Sequence, residues 1–202
     1  MGSEGTKQTV TIHVTGFKKF QGVAENPTEF IVNNLRSYVE KRGLPAGVKL
    51  GSCLVLETAG DGALPMLYKV LESVVPVDGS LSDERVVWQA VNEATFRCPD
   101  ELGWQPQQLV IVPGDGGITQ TRKTSCSVDA ILQYLKKKGH DVMISYDAGR
   151  FVCNYVYYHS LRFAEQKGHT SLFVHVPLFS KVDEGKQMQF TLALLEAIGS
   201  NC

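Results

Sequence analysis

Short apolar runs of strand length alternate along this chain with longer stretches of helical periodicity, and that alternation restricts it to an α/β architecture. A strand-like run over residues 9–14 is followed by a helical stretch that Pro27 opens. Phe30, Ile31, Leu35 and Val39 recur on one face of it, and Arg42-Gly43 ends it. A second strand over residues 48–57 breaks at Gly60-Asp61-Gly62, and residues 64–75 form a second amphipathic helix. Residues 86–88 begin like a strand but run straight into Gln89-Ala90-Val91. A short apolar run over 109–112 precedes the turn cluster at 113–117. A helix carrying Val128, Ile131 and Leu135 then ends in lysines suited to a helix C-terminus. A strand over 142–145, a helix over 151–166, a strand over 171–176 and a helix over 187–198 complete the pattern.

The expected fold is one three-layer α/β/α domain over residues 1–202, with a mainly parallel central sheet and residues 1–7 as a disordered N-terminus. A length of 202 residues suits a single core of this kind, and no linker divides it. The formal net charge of −1 supplies no basic field for nucleic acid or an anionic membrane. The opening MGSEGTKQTV does not read as a signal peptide, and no run is long and apolar enough to span a bilayer. The five cysteines have wide spacings and no CxxC pair, which reads as reduced thiols in the cytosol with no zinc site. The histidines 13, 140, 159 and 169 likewise lack metal-ligand spacing, so neither a metal nor a cofactor is expected.

In a parallel α/β sheet, chemistry gathers beyond the carboxyl ends of the strands. Cys153 follows the strand 142–145, the turn Asp147-Ala148-Gly149 and the first residues of a helix. The free N–H groups and dipole of that helix start are expected to lower its pKa. His175 closes the strand 171–176, one crossover further on, so the two residues share a rim of the sheet. A thiol and imidazole in contact perform acyl transfer. Each residue taken alone also fits a bland reading, as a small core thiol and as a satisfied histidine. Phe17 and Phe20 follow the first strand and either line a pocket or cap the core.

These residues fall in a recognisable pattern. Val14-Thr15-Gly16-Phe17 with Phe20, Gly22 and Asn26-Pro27, then Ala148-Gly149-Arg150-Phe151-Val152-Cys153-Asn154 with Tyr157-Tyr158, then Phe173-Val174-His175-Val176-Pro177, resemble in order the motifs of the pyroglutamyl-peptidase I family of cysteine peptidases. The resemblance spans nearly the whole chain. It implies release of an N-terminal pyroglutamyl residue from peptides, with Cys153 as nucleophile and His175 as base. It further implies Arg97 beside the oxyanion, Phe17 and Phe20 against the lactam ring, and Phe151 and Val152 as pocket residues. The implied partners are pyroglutamyl peptides, with a homo-oligomer left open.

One departure stands out. Where Trp88 meets Gln89, about fifteen residues of the family's pattern are absent, judged by length. They would supply an inner strand, a pocket loop and the Glu that orients the histidine. Glu84 and Glu93 do not match that position, and Glu57 is the remaining acid considered. The expectation is a peptidase of reduced activity and stability. The alternatives are a catalytically dead relative and a redox-sensing thiol protein using Cys153.

Overall fold

The computed structural model describes residues 9–73 and 89–201. Its longest ladder is the parallel pair β1 (Val10–Phe17) and β2 (Val48–Leu56), with a register shift between Ile12 and Val14. The pair is joined by α1 (Pro27–Arg42). Asn26 caps that helix, its Oδ1 accepting from the Thr28 amide at 3.1 Å, and Gly43 at φ 82° ends it. Both ends were legible, because Asn-Pro at the start and Gly at the end each follow from backbone chemistry. Helix α2 is Gly60–Glu72.

After α2 the described chain resumes in short antiparallel pairs. β3 (Gln89–Val91) pairs with β6 (Thr121–Lys123), and β4 (Glu93–Ala94) pairs with β5 (Leu109–Val110). Helices α3 (Val128–Lys137), α4 (Val152–Lys167) and α5 (Glu184–Asn201) follow. Helices α1 and α5 pack together on one side of β1–β2, around Ile31, Leu35, Leu50 and Leu195. Helices α2 and α4 pack on the other side in the larger core with Phe96, Tyr157 and Tyr158. This is an α/β arrangement with helices on both faces.

Three expectations need correction. Gly60-Asp61-Gly62 is the first turn of α2 and not a break. The reason is tertiary: a Cβ on Gly60 would lie 2.2 Å from the Trp104 ring, and the Gly60 amide donates to Asp100 Oδ2 at 2.9 Å. Residues 142–145 and 171–176 are extended but form no ladder. In the first, Val142 and Ile144 face the core while Met143 is 80% exposed, so the strand-like alternation survives without a hydrogen-bonding neighbour. The second lines a cavity of about 860 Å³ together with β1 and makes no ladder with it. That cavity has extended backbone on two sides, with Leu67 and Val156 of one helical layer and Ile31 and Leu195 of the other above and below it. Among the described residues the parallel ladder therefore stops at two strands. The expected strand start at 86–88, its junction with Gln89 and the N-terminal residues 1–7 lie outside the described residues.

Candidate active site

Cys153 is the second residue of α4. The turn before it is held in three ways. Gly149 adopts φ 80°, a left-handed conformation that a side chain would strain. Asp147 Oδ1 accepts from the Gly149 amide at 2.9 Å and from Arg150 Nη1 at 2.8 Å. Arg150 Nε reaches Glu93 Oε2 at 3.2 Å, while its carbonyl accepts from the Thr95 amide at 3.1 Å. Phe151 and Val152 therefore enter α4 on a fixed path. The Phe151 ring stands 4.6 Å from Phe96, and Val152 is buried.

Burial dominates the thiol. Loss of hydration pushes the Cys153 pKa up to about 11, against a smaller downward pull from its own backbone N–H. The sign is opposite to the one that helix position alone suggested. Cys153 is half-buried, and a partial dipole at a helix start is worth only a fraction of the cost of charging a sulfur that has lost much of its hydration.

His175 lies in the extended stretch 171–176, two residues after Phe173, so both side chains point to the same side of the backbone. Their rings are 4.9 Å apart at 69°. Phe173 in turn meets Tyr157 at 5.4 Å and Phe17 at 6.4 Å. Tyr157 sits one helical turn beyond Cys153 on the same face of α4. The ring contacts thus connect the cysteine's helix to the histidine through Tyr157 and Phe173, with Phe17 from the end of β1 as a third wall. His175 is itself exposed, and the neighbouring protein atoms strip enough water from the ring to lower its pKa and favour the neutral imidazole that a base requires.

The other expected residues divide into two places. Arg97 is exposed and follows Phe96 directly, which sets it beside the Phe151 contact. Phe20 is half-buried and lines a shallow concavity with Pro99 and Glu101, where the Gln21 amide donates to Glu101 Oε1 at 2.8 Å. Phe20 is therefore not packed against Phe17, and the aromatic pair opens into two sub-regions. Glu57 bonds Lys18 Nζ at 2.5 Å, and Glu93 bonds Arg150 and Thr95, so both carboxylates have partners other than the histidine. Glu84 lies outside the described residues. Sequence reasoning missed Asp100, which accepts from the amides of Gly60, Leu102 and Trp104 and shapes the loop that carries Arg97. An Asp after a Pro and shortly before a Gly was the available turn signal.

An α/β fold with a cysteine at the start of a helix and a histidine connected to that helix through Tyr157 and Phe173 is an arrangement that suits the class of α/β cysteine peptidases. The comparisons with known proteins narrow it. A family model described as pyroglutamyl peptidase matches residues 10–194. The chain is 30% identical over 194 residues to the pyrrolidone-carboxylate peptidase of Pyrococcus furiosus, covering 86% of each. It is 33% identical over 172 residues to that of Klebsiella pneumoniae, covering 81% of this chain and 76% of the relative. In structure it resembles a variant of the Pyrococcus furiosus pyrrolidone carboxyl peptidase with a TM-score of 0.77 at 26% identity, over 94% of this chain and 98% of that one. The chain belongs to the pyroglutamyl peptidase family.

Proposed function

We propose that this chain releases an N-terminal pyroglutamyl residue from peptides, with Cys153 as nucleophile and His175 as acid and base. The observation that carries the reading is the run of contacts from the α4 turn holding Cys153, through Tyr157 and Phe173, to His175. Family membership supports it. In the reaction, His175 takes the thiol proton as Sγ attacks the pyroglutamyl carbonyl. The tetrahedral oxyanion collapses to a thioester as His175 returns the proton to the leaving amine, and water then releases pyroglutamate. Arg97 is the assigned oxyanion partner. Phe17, Phe20, Phe151 and Val152 are the assigned apolar contacts for a lactam ring that carries no amino charge. The free thiols of the described cysteines suit the cytosol.

The reading includes an impairment. A thiol pushed up to about 11 is rarely ionised near neutrality, and the family's orienting Glu falls among the residues absent by length where Trp88 meets Gln89. Loss of an orienting acid lowers turnover without removing it. The second reading, an inactive relative, draws on the same raised thiol and on the ladder that stops at two strands. Hydrolysis of a pyroglutamyl fluorogenic amide separates them. Slow turnover that rises with pH and disappears in Cys153→Ala supports the peptidase. No turnover at any pH from a cooperatively folded chain supports the inactive relative.

A further inference from the structure

Asn154 is 0% exposed and follows Cys153 directly. Its Oδ1 accepts from the Val91 amide at 2.9 Å. Its Nδ2 donates to the Val91 carbonyl at 2.8 Å and to the Glu93 carbonyl at 2.9 Å. A side-chain amide has two donors and an acceptor oxygen, and here all three functions go to the backbone of one short segment. The amide does what a neighbouring strand would do for residues 91–93. The same segment is bonded on the other side of Cys153, where the Thr95 amide meets the Arg150 carbonyl at 3.1 Å and Glu93 meets Arg150 at 3.2 Å. Asn92, also 0% exposed, ties the segment onward: its Oδ1 accepts from the Val112 amide at 2.8 Å and its Nδ2 donates to the Gly116 carbonyl at 3.1 Å.

The nucleophile's turn is therefore gripped before and after Cys153 by one stretch of chain, residues 91–95. We infer that Asn154 is a positioning residue for Cys153, fixing the first turn of α4 against that stretch so that Sγ is held at a set place and depth. This rests on the reading of Cys153 as nucleophile. Neither a carboxylate nor an apolar side chain does the same work at this position. A carboxylate lacks the two donors and would face two carbonyl oxygens. An apolar side chain would leave one buried N–H and two buried carbonyls unpaired. A residue that positions a nucleophile acts on turnover through geometry, because misplacement by about 1 Å costs on the order of 10²-fold.

The test uses the full chain and its own thiols. Iodoacetamide labelling is followed peptide by peptide by mass spectrometry, with buried Cys126 reporting global opening and exposed Cys98 as the reference for free reaction. In Asn154→Ala, and more mildly in Asn154→Ser, Cys153 is expected to label about tenfold faster relative to Cys98, while Cys126 stays protected. Where turnover is measurable, kcat is expected to fall by about 10²-fold with KM nearly unchanged, so reactivity and turnover move in opposite directions. Unchanged Cys153 labelling overturns the inference. So does a joint rise at Cys153 and Cys126, since that marks Asn154 as holding the fold alone. If the unsubstituted chain lacks turnover, the peptidase reading fails while the labelling result still decides the role of Asn154.

Discussion

Two regions of this molecule reach order by different means. From Gln89 to Thr124 the chain's strands are only two or three residues long, yet its buried polar groups are tied down by side chains. Asn154 and Asn92 hold β3 and β4, Asp100 gathers three amides, and Asp115 accepts from Arg122, Tyr158 and Arg162. Across the domain, β1 and β2 are long and pair along most of their length, with one register shift, but β1 faces the 860 Å³ cavity with no described strand on that side, and residues 171–176 border the same space. Length and completeness are different properties. A short strand bonded on all sides is better held than a long one with an open edge, because the open edge leaves backbone groups without protein partners.

The sharpest way to break this comparison is to empty each region. Phe96 is 0% exposed and packs on Phe151 and Trp104, so Phe96→Ala is expected to cost about 3–5 kcal/mol in urea unfolding. Leu172→Ala, beside the cavity, should cost roughly 1 kcal/mol, since part of its surface already lacks neighbours. Equal losses would mean that the cavity is filled in solution.

Acid should find the weak point of the well-tied side. His159 on α4 is buried against Tyr155 and Tyr68. Loss of hydration, aided by Arg162 and opposed by Asp61 and Asp115, lowers its pKa to about 4 from an ordinary 6.5. A lowered folded pKa means that the stability tied to the neutral ring is present above 6.5 and is lost as pH falls through about 4. By linkage that loss is roughly 3 kcal/mol. His159→Gln should flatten the dependence of unfolding free energy on pH over that window. A loss of the same size in the variant would assign the acid limb to other groups.

Adding volume should give opposite signs in the two regions. Ala94→Val inserts carbon into a site with 0% exposure and is expected to cost about 1–3 kcal/mol. Val174→Ile extends into the cavity and is expected to be neutral or to stabilise by about 0.5–2 kcal/mol in thermal melts. The smallest effect needs no mutation. In hydrogen exchange, the Val91 and Asn92 amides, bonded to Asn154 and to the Gln120 carbonyl, should be protected well beyond the amides of Leu172 and Val174. Comparable protection would remove the distinction between the regions.

Much of this was legible in the residues. The helix limits at Asn26-Pro27, Gly43 and Lys137 came from capping and charge rules that act within one turn. The left-handed Gly149 before Cys153 was legible for the same local reason. The misreadings have a common origin. Gly60-Asp61-Gly62 looked like a break because the Trp104 ring that demands Gly60 is distant in sequence. Residues 142–145 and 171–176 carry the apolar, β-branched and aromatic composition of strands, but composition reports a tendency to be extended and buried and says nothing of whether a neighbour stands within hydrogen-bonding distance. Asn154 was visible as a motif letter, while its three backbone partners were not.

The sequence by itself determined the order of helices and extended segments and the family, because these depend on short-range pattern and residue chemistry. Only the tertiary structure decided that the thiol is pushed up and not down, that an amide takes the place of a strand beside it, and that β1 borders a cavity. Each of those depends on which groups lie within a few ångströms across the fold, where loss of water and the supply of hydrogen-bond partners outweigh local preference.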